Sequence, residues 1–262
     1  MKADQSPGGR GCAVQHPPAA FQTPPGVSER PLRRVGHKGA DLIAPGNTTA
    51  SFDAALAAGV DMIEFDVLPE PGGERLVLAH DYTDAGARKP LTLEEGLDHL
   101  ASDAFAGIEL DVDLKLPGYE LRVVDELRRR ELVERSLVSS FFRESLRLLR
   151  AIEPSLRLGW SVPGVRRDPF RSPLSAPFGM LAARYGQAVL PGRAARAIRE
   201  GTCDALMSHW RLVTPALVRA VHGAGGELYV WTVDELPRIR ELAALGVGGV
   251  ITNDPRLFAS LA

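Results

Sequence analysis

The sequence predicts an α/β fold, a (β/α)8 TIM barrel built as a single domain with a small insertion after the second strand and a long loop after the fifth. Three observations carry that expectation. From Pro31 onward, short apolar or β-branched runs alternate with helical stretches, giving eight strand–helix repeats. No Gly-x-Gly-x-x-Gly follows the first of those strands, which counts against an open dinucleotide-binding sheet. The 262 residues, 45% of them apolar, suit one α/β barrel, a fold that often takes about 200–250 residues.

Taken in order, the expected strands are Arg33–Gly36, Met62–Val67, Ile108–Leu114, Leu137–Ser140, Arg157–Ser161, Ala205–Met207, Leu228–Trp231 and Gly249–Thr252. The expected helices are Thr49–Ala58, Leu93–Ala101, Tyr119–Arg130, Arg143–Ile152, Arg193–Glu200, Pro215–Ala224, Glu235–Leu245 and Pro255–Leu261. Each repeats its apolar residues near the 3.6-residue helical period. Thr214 ahead of Pro215 is a start signal, and Gly59 and Gly246 supply glycine stops after Ala58 and Leu245. A further short strand, Leu76–Ala79, follows a turn over Leu68–Arg75 and makes up the insertion. The proline-rich stretch Val162–Val189 is expected as the loop after the fifth strand. On a barrel such a loop sits on the catalytic rim, as a lid or specificity element.

Residues 1–30, rich in Pro, Gly, Gln and Ser, read as a flexible N-terminal extension, with the barrel over 31–262. No hydrophobic signal segment is visible there, so the expected location is cytoplasmic. The balance of 31 Lys+Arg against 33 Asp+Glu gives a net charge of −2 and argues against nucleic acid as a partner. Two cysteines, Cys12 and Cys203, make neither a disulfide framework nor a zinc knuckle. No apolar run approaches the roughly 20 residues of a transmembrane segment. The expected partner is a small molecule; oligomeric state is not readable.

The informative residues interrupt apolar strands at their C-terminal ends: His37-Lys38-Gly39, Glu64-Phe65-Asp66, His80-Asp81, Asp111-Val112-Asp113-Leu114-Lys115 and Trp231-Thr232. Residues i and i+2 of a strand share a face, so Glu64 and Asp66 point one way and Phe65 the other. Asp113 and Lys115 pair likewise, with Val112 and Leu114 turned toward the helices. Carboxylates converging at a barrel mouth repel each other and lose hydration, which a divalent cation offsets. All-oxygen ligation suits Mg2+ or Ca2+ better than zinc. His37 and His80 form an acid/base pair, since imidazole titrates near neutral pH. Of only four lysines, Lys38 and Lys115 sit at these strand ends, where they favour an anionic substrate such as phosphate.

In this order and spacing, the motifs resemble those of the glycerophosphodiester phosphodiesterases, from about Arg33 to Leu257. That family opens with His-Arg-Gly, Pro-Glu-Asn-Thr, Glu-x-Asp and His-Asp. Here the sequence reads His37-Lys38-Gly39, Pro45-Gly46-Asn47-Thr48, Glu64-Phe65-Asp66 and His80-Asp81. Asp113-Leu114-Lys115 resembles the family's Glu-x-Lys. Ser139-Ser140-Phe141, Trp231-Thr232-Val233 and Gly249–Pro255 match three later motifs. The resemblance implies a barrel that hydrolyses a glycerophosphodiester with a divalent ion on Glu64, Asp66 and Asp113. It makes His37 and His80 the acid/base pair and Lys38 and Lys115 the phosphate-holding charges, with Trp231 as an apolar wall for the glycerol or its substituent. The chain departs from the pattern at Lys38 (for arginine), Asp113 (for glutamate) and Gly46 (for glutamate). Two other readings share these motifs: a phospholipase D-like barrel that cleaves lysophospholipid or sphingolipid head groups, with Leu174–Leu181 as its apolar face, and a non-catalytic phosphometabolite-binding barrel.

Overall fold

The computed structural model of the chain describes residues 31–164 and 176–261. The N-terminal stretch 1–30 and residues 165–175, which include Leu174 of the expected apolar face, lie outside the described residues. Eight parallel strands close on themselves: β1 (Arg33–Gly36), β2 (Met62–Pro69), β4 (Glu109–Leu114), β5 (Ser136–Ser140), β6 (Arg157–Val162), β7 (Ala205–His209), β8 (Glu227–Trp231) and β9 (Gly249–Thr252). The closing contact is β1 on β2, with Val35 opposite Met62. The expected insertion is β3 (Leu76–Leu78), antiparallel on the far end of β2.

Strand alternation sorts side chains into two populations. Phe65, Val67, Val112, Leu114, Val138, Leu206 and Val230 face outward into the main core, where the surrounding helices cover them. These helices are α1 (Thr49–Ala57), α3 (Leu93–Leu100), α4 (Glu120–Arg129), α5 (Arg143–Ile152), α6 (Ala176–Arg199), α7 (Pro215–His222) and α8 (Leu236–Leu245). Val35, Met62, Leu137, Met207, Tyr229 and Ile251 face inward and form a separate apolar plug. Above that plug, toward the C-terminal strand ends, the next inward residues are Glu64, Asp66, Asp113 and Ser139. Below it, the first residues of four strands, Arg33, Glu109, Arg157 and Glu227, form an ion-paired ring.

Helix ends follow the local chemistry. Thr48, Thr92 and Thr214 cap α1, α3 and α7 through their hydroxyls, and Gly246 ends α8 in the left-handed region at φ 83°. Three elements differ from expectation. The last expected helix, Pro255–Leu261, is a 3-10 helix over Pro255–Ser260. The segment after β6 is not irregular throughout: α6 starts at Ala176, well before Arg193, and carries Pro191 inside it. Proline, with Gly186 and Gly192 nearby, argues against a helix on propensity, but burial of Leu190, Ala194 and Ala197 against the barrel overrides it. A six-residue helix, α2 (Tyr82–Ala87), follows His80-Asp81; Asp81 caps it by accepting from the N–H groups of Thr83 and Asp84. Among the described residues no helix is long and apolar enough to cross a membrane.

Candidate active site

Parallel pairing of β2 with β4 sets Glu64 beside Asp111 and Asp66 beside Asp113. All four are buried and face inward. One oxygen from each of Glu64, Asp66 and Asp113 lies within 4.8 Å of the others. Lys115 reaches over this cluster, its Nζ 2.5 Å from Asp66 and 2.6 Å from Asp113. Ser139 on β5 donates to Asp113 at 3.4 Å.

The cluster has more negative charge than Lys115 neutralises, and the proton affinities show it. Burial, and then the neighbouring Asp66, push the Glu64 carboxyl well above the usual carboxylate range. Asp111, raised by burial and by Asp113, is pushed up to about 8. Burial works to raise Asp66 too, but Lys115 and the imidazoles of His80 and His37 outweigh it and hold Asp66 low. Lys115, surrounded by Asp113, Asp66 and Glu64, keeps its proton more tightly than usual despite its burial. The buried Asp66 Oδ1 has the Lys115 ammonium beside it, while the buried Asp111 Oδ1 has no hydrogen-bond partner. Converging hard oxygen donors and more negative charge than one ammonium offsets fit a divalent cation held by Glu64, Asp66 and Asp113.

The two histidines sit differently. His37 follows β1, and its Nδ1 lies 2.5 Å from Asn253 Oδ1. The Asn253 amide nitrogen donates to Asp234 at 2.7 Å, and a carboxylate only accepts, so the Asn253 oxygen must face the ring. His37 therefore donates from Nδ1, which leaves the lone pair of the neutral ring on Nε2, 3.8 Å from Glu64. Burial lowers the pKa of His37, which favours the neutral ring. His80 stands on the exposed rim with its Nδ1 3.3 Å from Asp81, which thus both caps α2 and steadies the ring.

His37, Glu64, His80, Asp113, Lys115 and Trp231 all line one cavity of about 750 Å3 at the C-terminal mouth of the barrel. Half-buried Trp231 forms an aromatic wall, edge-on to Phe141 at 6.2 Å and to His209 at 5.3 Å between ring centroids. Lys38 does not join the group. Its ammonium bonds Asp41 at 2.5 Å, and it is not among the residues lining this cavity. Trp210 packs away from the site, between the guanidiniums of Arg211 and Arg238. The sequence reading gave no role to Asn253, Asp234, Ser139 or Asp41. Of these, Asn253 and Ser139 belong to quoted motifs, so that signal was in hand; Asp41 carried none.

Comparison with known proteins gives the family and the fold. The model of the glycerophosphoryl diester phosphodiesterase family matches residues 119–257, just over half of the chain. A glycerophosphodiester phosphodiesterase of Caldanaerobacter subterraneus is 26% identical over 261 residues, covering 87% of this chain and 96% of its own. A probable glycerophosphodiester phosphodiesterase of Mycobacterium tuberculosis is 27% identical over 252 residues, 84% of this chain and 86% of its own. Among solved structures, a Silicibacter pomeroyi protein described as a glycerophosphoryl diester phosphodiesterase superposes with a TM-score of 0.68 at 22% identity, over 88% of this chain and 94% of its own. An Oleispira antarctica phosphodiesterase, solved with sn-glycerol-3-phosphate as product, gives 0.65 at 21% identity, over 87% and 96%. With the family's matched region ending in the Trp231 and Asn253 motifs that complete this cavity, the chain belongs to the glycerophosphoryl diester phosphodiesterase family.

Proposed function

We propose that the chain hydrolyses glycerophosphodiesters to glycerol 3-phosphate and an alcohol in this cavity. The observation that carries the reading is the cluster of three buried carboxylates, two of which line, with two imidazoles and one ammonium, a single pocket. Glu64, Asp66 and Asp113 hold a divalent ion, Mg2+ or Ca2+. When bound, that ion supplies Lewis-acid polarisation of a phosphate oxygen and offsets the charge of its ligands. Lys115 adds positive charge beside the phosphate. His37, neutral and presenting Nε2, removes the proton of the attacking hydroxyl while Asn253 fixes its ring. His80, on the rim, gives a proton to the departing alcohol, with Asp81 steadying it. Trp231 forms the wall against the glycerol or its substituent. The names of the relatives support the substrate class, and the product in the Oleispira structure supports glycerol 3-phosphate as what is left behind.

The test is release of glycerol 3-phosphate from glycerophosphodiesters with Mg2+, with Ca2+ and with EDTA. Turnover is expected with at least one ion and none in EDTA. His37→Ala and His80→Ala should each lower kcat by about 10²–10⁴-fold, the usual contribution of a positioned acid or base. Full activity in EDTA removes the cation, and an unaffected double variant removes the histidine roles.

A further inference from the structure

The loop that joins β1 to α1 touches both β2 carboxylates of the site. The main-chain N–H of Lys38 donates to Glu64 Oε2 at 2.7 Å. Near the other end of the loop, Asn47 grips Asp66 twice: its Nδ2 donates to Asp66 Oδ2 at 2.9 Å, and its Oδ1 accepts from the Asp66 N–H at 3.0 Å. Lys38 and Asn47 both have left-handed φ, 51° and 58°, a region that Asn enters readily and Lys seldom does. One side chain spans these two ends. Asp41 Oδ2 bonds the Lys38 ammonium at 2.5 Å, and Asp41 Oδ1 accepts the Gly46 N–H at 2.9 Å. A Cβ added at Gly46 would lie 2.5 Å from Asp41 Oδ1 and 2.8 Å from Lys38 Cβ. Position 46, where the resembling motif carries glutamate, is glycine in this chain, and the carboxylate of Asp41 fills the space.

We infer that Asp41 is a positioning residue for the cation site: by tying Lys38 to Gly46 it holds the loop that aims Glu64 and Asp66. Lys38 then serves as the other half of that tie and not as a phosphate ligand. The inference rests on the cation-site reading above, and its test therefore uses cation binding as well as turnover. Outer partners that orient ligands commonly set about 10–100-fold of metal affinity.

The experiment measures Mn2+ affinity of the full chain by titration calorimetry, with Mn2+ electron paramagnetic resonance as a second readout. Asp41→Ala and Lys38→Met should each weaken Mn2+ binding about tenfold, and the double variant should be no worse than either. KM for a glycerophosphodiester at saturating Mn2+ should stay within about twofold, which a lost phosphate ligand would not allow. Asp41→Asn keeps the shape and the Gly46 contact if Asp41→Ala fails to fold, and should give a smaller loss. Gly46→Glu alone should weaken binding through the clash, while Asp41→Gly combined with Gly46→Glu should recover part of the affinity. Parental Mn2+ affinity in Asp41→Ala or Asp41→Asn overturns the inference, as does a Lys38→Met variant that raises KM alone. A parent protein that binds Mn2+ but turns over no diester overturns the proposed function and leaves the Asp41 result standing; a parent that binds no Mn2+ overturns both.

Discussion

At the N-terminal end of the barrel interior, Arg33 and Arg157 meet Glu109 and Glu227, two cations against two anions. At the C-terminal end, Glu64, Asp66, Asp111 and Asp113 meet one ammonium, that of Lys115. In the lower ring, Arg157 donates to Glu109 at 2.9 Å, to Glu227 at 2.7 Å and to the Tyr229 hydroxyl at 3.3 Å, while Arg33 also pairs with Glu109. Burial works to raise Glu109, yet Arg33 and Arg157 hold it below the usual carboxylate range. The upper cluster shows the reverse, with Glu64 and Asp111 raised. The difference separates charge that closes a fold from charge kept open for a ligand. Paired charges contribute to stability only while both partners remain; an excess of one sign costs stability until a counterion arrives.

One large effect that would sharpen this contrast comes from removal of the lower ring's hub. Arg157→Met leaves Glu109 and Glu227 partly buried with one cation fewer. Breaking a buried pair costs about 3–5 kcal/mol, and the ring is partly exposed, so about 2–3 kcal/mol is expected. Urea unfolding should show that loss, while Mn2+ affinity of the folded protein stays at the parental value. If instead cation binding collapses with stability unchanged, the two ends are not separate systems.

The opposite sign is expected at the upper end. Asp111 has a raised pKa of about 8 in the folded chain against an ordinary value of 3.8. A group that holds its proton more tightly when folded stabilises the fold fully below its unfolded pKa. That contribution is lost as pH rises toward the folded pKa. In EDTA, the parent should lose stability relative to Asp111→Asn between about pH 4 and pH 8, with a flat difference above. At pH 7 the variant should be more stable by about 2–4 kcal/mol, one pKa unit being worth about 1.4 kcal/mol. His37, lowered by burial, works in the other direction below its ordinary 6.5, so the difference between the two proteins, not either curve alone, is the measurement. A pH-independent difference would show that Asp111 shares its proton with the rest of the cluster.

Much of the upper end was legible in the sequence, and for a simple reason. Period-two alternation puts Glu64 with Asp66, and Asp113 with Lys115, on one face of a strand, so charge at those spacings in apolar strands announces a site. The strand bounds follow from the same alternation; the observed β4 starts at Glu109 where Ile108 was expected, and β1 and β9 match. What the sequence hid depends on tertiary contact. His37 and Asn253 are bonded across 216 positions, and the Arg33–Glu109–Arg157–Glu227 ring draws on four separate strands. Asp41 looked like one loop residue among several until the fold brought its carboxylate between Lys38 and Gly46. The helix α6 was masked by Pro191, whose local cost is outweighed by packing that no local window contains.

The smallest predicted effect concerns the link from the upper end to its base. Asn253 holds His37 by one side-chain oxygen while its amide and main-chain N–H both bond Asp234, at 2.7 and 2.8 Å. Asn253→Ala leaves His37 free to turn and to exchange its proton between Nδ1 and Nε2. The ring would then present the basic nitrogen to the cavity for only part of the time. Because the imidazole itself remains, kcat should fall only about tenfold, well short of the loss expected for His37→Ala. Cation affinity should not change, since Asn253 touches none of Glu64, Asp66 or Asp113. Nitrogen-15 spectra should show the His37 tautomer shifting from Nδ1–H toward a mixture. Asn253→Asp offers the finer cut: it keeps an acceptor for Nδ1 but sets a second carboxylate against Asp234, so the ring should stay oriented while the 252–254 turn loosens. A tenfold loss in Asn253→Ala that Asn253→Asp largely recovers would tie His37's work to its orientation, whereas equal losses in both would put the effect in the turn.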